Sequence, residues 1–400
     1  MKKIITVFAL LLLMSTSVYA VETLTIDEVV DLGIEASEDL EDLSDAVEDL
    51  EKEYNRALAR GINFEKQVNE IRAFQQLHSL KLSDVDFTEA QEDEYDDYQR
   101  SYGPVPPRLP RQQWVQMNLL GKYLPEQLQI AYKDLQVQYE KAEAGTAYQG
   151  KKLYNNLVYL EELFVLQEEY LRILEKQYSN AKQKFDLGMI SELDLLKAEM
   201  DYENQVLSVE NLEYSIDALK MQINRFIDYD LLAEWESKGT LRINDVAIDS
   251  PEMAVEAAMN ASRGLAFAKE KDALFQDKAD FFSALGNDTI EEILDAKVEA
   301  REAAYELIDK RKNVEVTAYN QYVTVKKARE VLLEEKDQYY ESIENLRNAK
   351  LNFEVGYIDQ NTLDLVTFQF DLQQTNLKRA FRTLSEEASY FRLFLEQGLF

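Results

Sequence analysis

One motif, written twice, constrains this chain more than any other feature. NAKQKFDLGMISELDLL at 180–196 returns as NAKLNFEVGYIDQNTLD at 348–364. At an offset of 168 residues, Asn180, Ala181, Lys182, Phe185, Gly188, Ile190 and Leu195 fall without gaps on Asn348, Ala349, Lys350, Phe353, Gly356, Ile358 and Leu363. Upstream, Leu157, Phe164, Leu171, Tyr178 and Phe185 recur every seven residues, and Val325, Leu332, Tyr339, Leu346 and Phe353 do so in the same phase. Downstream, Leu195, Ala198, Tyr202, Gln205 and Val209 alternate by three and four, as do Leu363, Val366, Phe370, Gln373 and Leu377. Seven-residue recurrence sustained over four heptads is a coiled-coil signal. Two such stripes in register at one offset specify a duplicated antiparallel helical hairpin.

The glycines supply the turns. A residue without Cβ takes the left-handed C′ conformation that ends a helix, which places helix ends at Gly188 and Gly356. Ser191 is then the N-cap of the next helix, with Asp194 three residues on; in the second copy Asp359 is the cap and Thr362 stands three residues on. A weaker repeat joins LTIDEVVDLGIEASEDL (24–40) to SPEMAVEAAMNASRGL (250–265) at an offset of 225, aligning Val30, Ala36, Ser37 and Leu40 with Val255, Ala261, Ser262 and Leu265. Set against 168, that offset gives the first copy 57 extra residues, lying within about 60–120.

Composition narrows the class. Lys2 and Lys3 precede an apolar run from Ile4 to Met14, and Val18-Tyr-Ala20 has small-residue cleavage character, so 1–20 reads as a signal peptide of an exported protein. There is no Cys, which excludes disulfides, thiolate metal sites and a lipidated Cys after the signal. A formal charge of −32 opposes nucleic-acid binding, and a single histidine, His78, opposes His-based catalysis or zinc ligation. Only six Pro and twelve Gly interrupt 400 residues, and four of the Pro lie within 104–110. Long periodic segments elsewhere mean helix.

The sequence therefore predicts an all-α fold of long antiparallel helical hairpins in two tandem structural repeats, 21–240 and 241–400. Copy one is expected to hold a helix over 26–58, an irregular acidic and Pro-rich elaboration to about 112, a long helix to 187 and a return helix over 191–228. TLRINDVAI (240–248) reads as one strand between the copies. Copy two is expected to hold helices over 251–283, 289–355 and 359–397, with a turn at SALGND (283–288). At about 1.5 Å per residue the 67-residue helix is roughly 100 Å long, a rod.

These residues resemble the TolC family of outer-membrane efflux channels. LTIDEVVDLGIEAS is similar to the family's LTLEEAVELALENN opening. KFDLGMISELDLLKAEMDYENQ is similar to its signature at the inward tip, with Gly188, Asp194 and Leu195 in the matching places. The resemblance covers nearly the whole chain after the signal peptide and implies a homotrimer, a helical conduit, and tips that meet a periplasmic membrane-fusion adaptor and an inner-membrane transporter. It also implies β-barrel strands in each repeat, and here the sequence departs. Six residues at SALGND cannot cross a bilayer twice, since each spanning strand needs about 9–11. The gap in copy one is acidic and Pro-rich, without alternating segments. The chain reads as TolC-like without a clear β-barrel, not inserting into membranes on its own. Copy two also carries Thr362 where the family has Asp.

Candidate functional residues follow. The tip turns offer Gly188, Ile190, Ser191 and Asp194, and Gly356, Ile358, Asp359 and Thr362, for partner binding. Gln205 and Gln373 interrupt the apolar stripe at one position in both copies and either fix helix register or face a lumen. The acidic run 89–98 lacks the D-x-D-x-D-G spacing of a calcium loop and reads as a solvated loop. Trp114 and Trp235 read as local anchors. No nucleophile–base arrangement is present, so no catalytic residue, metal or cofactor is expected. The functional expectation is an exported, envelope-located component of an efflux or secretion assembly, forming or lining a trimeric conduit. The alternatives are a barrel-less structural or adaptor-binding rod of the envelope and a chaperone-like coiled coil.

Overall fold

The computed structural model describes residues 22–83, 85–108, 110–238, 248, 250–285 and 290–400. The signal-peptide segment and all of the 240–248 segment but Ile248 lie outside them. A short strand β1 (Glu22–Leu24) leads into α1 (Ile26–Glu35), α2 (Glu38–Leu82), α3 (Glu89–Tyr102) and α4 (Arg111–Asn118). A π-helical turn (Leu119–Tyr123) opens α5 (Leu124–Asp186), which α6 (Glu192–Phe226) follows. Strand β2 (Trp235–Ser237) precedes α7 (Pro251–Ala261), α8 (Arg263–Leu285), α9 (Ile290–Glu354) and α10 (Gln360–Gln397). The hairpins α5/α6 and α9/α10 are the two copies of the repeat. Helix dominates because long 3-4 periodic stretches carry almost no Pro: Pro251 opens α7, and Pro125 stands at the second position of α5, just after the π-helical turn.

Three expectations need correction. The helix expected over 26–58 is two: α1 stops at Ala36, and α2 runs on to Leu82. Copy two breaks at the equivalent place, where Ser262, aligned with Ser37, accepts from the Leu265 amide at 3.1 Å and caps α8. The elaboration is also helical rather than irregular. Pro forbids helix only within 104–110, whereas Ala57, Gly61, Val68, Phe74 and Leu77 follow helical spacing and are buried along α2. The acidic run is helix α3, not a loop. Thr88 caps it reciprocally with Gln91, and Tyr95 is buried on its inner face. Among the described residues the only strands are β1 and β2, three residues each, paired in parallel with Glu22 opposite Trp235. No described helix is long and apolar enough to cross a membrane.

The chain divides into two compact units, each drawing on both copies. The first comprises the described residues of Met1–Ser37, Glu143–Pro251 and Asn320–Leu393. Leu24, Val29, Tyr154, Leu157, Ile223 and Trp235 form one of its cores. Polar groups in that core are paired: Tyr154 donates to Leu24 O at 2.6 Å and accepts from the Lys238 amide at 2.7 Å. Trp235 Nε1 donates to Asn224 Oδ1 at 2.7 Å, and the Asn224 amide donates to Leu231 and Ala233 carbonyls. Such full pairing is what makes a buried amide tolerable. The Phe226 ring fits where α1 and α5 present glycine: a Cβ on Gly33 would come within 2.0 Å of it, and one on Gly150 within 2.9 Å.

The second unit comprises Glu38–Ala142, Glu252–Tyr319 and Phe394–Phe400. Here α2 touches the π-helical turn backbone to backbone; a Cβ on Gly61 would lie 2.9 Å from Gly121 Cα. Tyr123, in that turn, donates to Asp277 Oδ2 at 2.9 Å beside the Lys122–Asp277 ion pair. Phe74, Tyr95, Phe87 and Tyr98 pack α2 on α3, and His78 Nδ1 lies 2.7 Å from Tyr95 Oη. Trp114 is covered by the Arg72 guanidinium at 4.6 Å.

Candidate functional site

The first unit holds both hairpin turns. Each closes as a Schellman motif with glycine in the left-handed region, φ 69° at Gly188 and 78° at Gly356. Gly188 N donates to Phe185 O and Met189 N to Lys184 O, both at 2.8 Å. Gly356 N donates to Phe353 O at 3.0 Å and Tyr357 N to Asn352 O at 2.8 Å. A Cβ at either glycine would meet nothing within 4 Å, so backbone conformation alone selects glycine.

The caps that follow are built from the same chemistry in opposite order. In copy one the hydroxyl is the N-cap: Asp194 N donates to Ser191 Oγ at 3.2 Å, and Ser191 N and Oγ donate back to Asp194 Oδ2 at 3.1 and 2.7 Å. In copy two the carboxylate is the N-cap: Thr362 N and Oγ1 donate to Asp359 Oδ1 at 2.9 and 2.7 Å. Thr362 in place of Asp is thus matched by Asp359 in place of Ser. The Ser191 hydroxyl and then its amide hold the Asp194 carboxyl below the usual range. The Thr362 hydroxyl, then its amide, do so for Asp359, with a smaller contribution from Lys184 of the other turn.

Exposure separates the residues of the turns. Ile190 and Ile358 are half-buried, so they close the helix ends rather than project. The residues beside each glycine project instead: Leu187 is 75% and Met189 68% exposed, Val355 67% and Tyr357 84%, with Leu193 at 74%. None of these five is among the candidates that the sequence pattern singles out. Their signal was present, since turn positions are ordinarily polar and both copies place apolar side chains on either side of a left-handed glycine. Three such side chains at one turn and two at the other leave apolar surface exposed at both, a feature that marks interaction surfaces.

Gln205 and Gln373 are engaged within their hairpins. Gln205 Nε2 donates to the Gln167 carbonyl at 3.1 Å and to Gln167 Oε1 at 2.8 Å. Gln373 Nε2 donates to Glu335 Oε2 at 2.6 Å and to the Glu335 carbonyl at 3.5 Å. Each partner lies 38 residues earlier, and the two partners are themselves related by the 168-residue offset.

No protein-family model matches the chain, and no curated protein matches it. Solved structures do. CusC, a protein that forms a transmembrane channel, superposes with a TM-score of 0.57 at 10% identity, over 92% of this chain and 91% of that one. A membrane protein of Pseudomonas aeruginosa gives 0.55 at 12% identity, over 91% and 93%. The outer-membrane protein VceC of Vibrio cholerae gives 0.51 at 12% identity, over 94% and 95%. The fold is therefore TolC-like, as the duplicated hairpins imply, and among the described residues it is all-α apart from β1 and β2.

Proposed function

We propose that this chain is an exported, TolC-like component of an efflux or secretion assembly, and that the paired turns are its docking surface for a membrane-fusion adaptor. The observation that carries this is the exposure of apolar side chains at both turns, Leu187, Met189 and Leu193 at one and Val355 and Tyr357 at the other, each held by a Schellman motif at the end of a duplicated hairpin. The TolC-like solved structures support an envelope location and a conduit role. Exposed apolar side chains at multiples of seven along α9, Val298, Tyr305, Tyr319, Leu333 and Tyr340, interrupted by Lys312 and Lys326, support a homotrimer, because apolar surface left open along a coiled-coil helix needs a partner. Substrate export would then pass through the helical conduit to or beyond the outer membrane, driven by an inner-membrane transporter.

The experiment compares Met189→Asp, Tyr357→Asp and Ile190→Asp for binding to a purified membrane-fusion adaptor from the same genome. The projecting residues should lose binding with helicity and assembly intact. Ile190→Asp, which puts a charge between helix ends, should also lower stability. Unchanged binding in all three would return the turns to a purely structural role.

A second reading, an adaptor-binding rod that forms no pore by itself, is favoured by helices α2–α4 where barrel strands would be expected in copy one. Planar bilayers separate the two: purified protein giving discrete conductance steps contradicts the rod, and silence supports it.

A further inference from the structure

A cavity of about 480 Å³ opens in the first unit between α5, α6 and α10, away from the turns. Its size falls in the range of about 300–1,000 Å³ typical of small-ligand sites. In a chain of charge −32 its lining is cationic: Lys152, Arg379 and Arg382 against Glu386. Arg382 forms the buried wall, 7% exposed, with its two terminal nitrogens on Glu162 at 2.7 and 3.2 Å. Its Nε–H is buried with no acceptor among the described residues. Arg379, one turn away on the exposed side of α10, lies 4.4 Å over the Tyr159 ring.

The nearby acids are already occupied. Glu162 holds Arg382, Glu386 accepts from Asn155 Nδ2, and Glu387 accepts from Tyr148 at 2.6 Å. Burial, and then Glu387 beside it, push the Glu386 carboxyl up to about 7, which reduces its charge against an incoming anion. No carboxylate lies in ion-pair distance of Arg379 or Lys152 among the described residues. The rim adds Gln149, Asn156 and Gln222, exposed carboxamides without a hydrogen-bond partner among the described residues. Carboxamides both donate and accept, which suits hydroxyl groups.

We propose that this cavity binds a small hydroxylated organic anion of the sugar-acid type, its carboxylate between Arg379 and Lys152 and its hydroxyls on the rim carboxamides. A guanidinium held over an aromatic ring keeps its fork preorganised for a planar carboxylate. The volume exceeds what one phosphate fills, and the neighbouring glutamates disfavour a dianion more than a monoanion.

The test is titration calorimetry of the protein lacking residues 1–20 with D-glucuronate at low ionic strength, against D-glucose and inorganic phosphate. Glucuronate should bind at least about tenfold more tightly than either, a difference of about 1.4 kcal/mol. Arg379→Gln should weaken glucuronate about tenfold while leaving helicity unchanged, because Arg379 is exposed and makes no ion pair. Gln222→Leu should weaken it less. Absence of glucuronate binding by the folded protein, phosphate binding as tightly as glucuronate, or an Arg379→Gln affinity equal to wild type would each overturn the proposal. None of these outcomes depends on whether the turns dock an adaptor.

Discussion

Replacing Gln205 and Gln373 by Leu should give unequal results, although the two residues occupy one position of the repeat. Gln205 is 7% exposed and gives its amide to two neutral oxygens of Gln167. Neutral hydrogen bonds contribute about 0.5–1.5 kcal/mol net each. A leucine returning to the apolar stripe recovers about 0.8 kcal/mol per buried methylene, so Gln205→Leu should lie within about 1 kcal/mol of wild type. Gln373 donates to a carboxylate, Glu335 Oε2, at 2.6 Å. Bonds to charged groups contribute about 1.5–3 kcal/mol, and the half-buried Glu335 would be left without its donor. Gln373→Leu should therefore be destabilising by about 1–2 kcal/mol. Urea denaturation followed by circular dichroism at 222 nm, comparing midpoints at unchanged slope, reads the difference. If Gln205→Leu costs as much as Gln373→Leu, or if neither moves the midpoint while export changes, the register account is wrong and a lumen-facing role replaces it.

Glu386 gives a pH-dependent outcome. Its carboxyl, facing Asn155, Glu387, Lys152 and Arg382, is pushed up to about 7 from 4.5, so between these values the folded state holds a proton the unfolded chain has released. Its contribution to stability thus falls as pH rises through that window, by about 2–3 kcal/mol, and Glu386→Gln should gain on wild type between pH 5 and pH 8; a constant difference across that range would contradict this. Gly33→Ala would set a methyl 2.0 Å from the Phe226 ring and should lower stability by about 1–3 kcal/mol despite the better helix propensity of Ala. Phe226→Leu should restore part of that loss, and a failure of rescue would show the clash is relieved elsewhere. At Gly188, Val should cost about 1–2 kcal/mol locally and Asn much less, since the site is open and only its φ of 69° discriminates; hydrogen exchange of the turn amides should show Val opening the turn and Asn leaving it closed.

The two turns were legible in the sequence because their determinants are local. A left-handed glycine, a cap and a heptad stripe all lie within a few residues of one another, and duplication doubled the signal. The elaboration was not, because its charges and its Pro cluster dominate a linear reading. Its helices are set instead by sparse apolar contacts, such as Phe74 on Tyr95 at a ring separation of 5.5 Å, and by the Thr88–Gln91 cap. Breaks at Ser37 and Ser262 were hidden for the opposite reason. Both lie inside good helical periodicity, and the break at Ser262 is stabilised by a contact distant in sequence, Ser262 Oγ to Phe400 O at 3.0 Å. Leu187, Met189, Val355 and Tyr357 were readable as apolar residues but not as projecting ones. Only the turn geometry separates them from the half-buried Ile190 and Ile358.

The proposed function rests above all on these duplicated hairpins assembling three chains into a TolC-like conduit or rod. Sedimentation equilibrium of the protein lacking residues 1–20, across micromolar concentrations, measures this directly. The expected mass is that of three chains, with Tyr305→Asp and Tyr340→Asp on α9 shifting it toward one. A single-chain mass throughout, at full helicity, would contradict it.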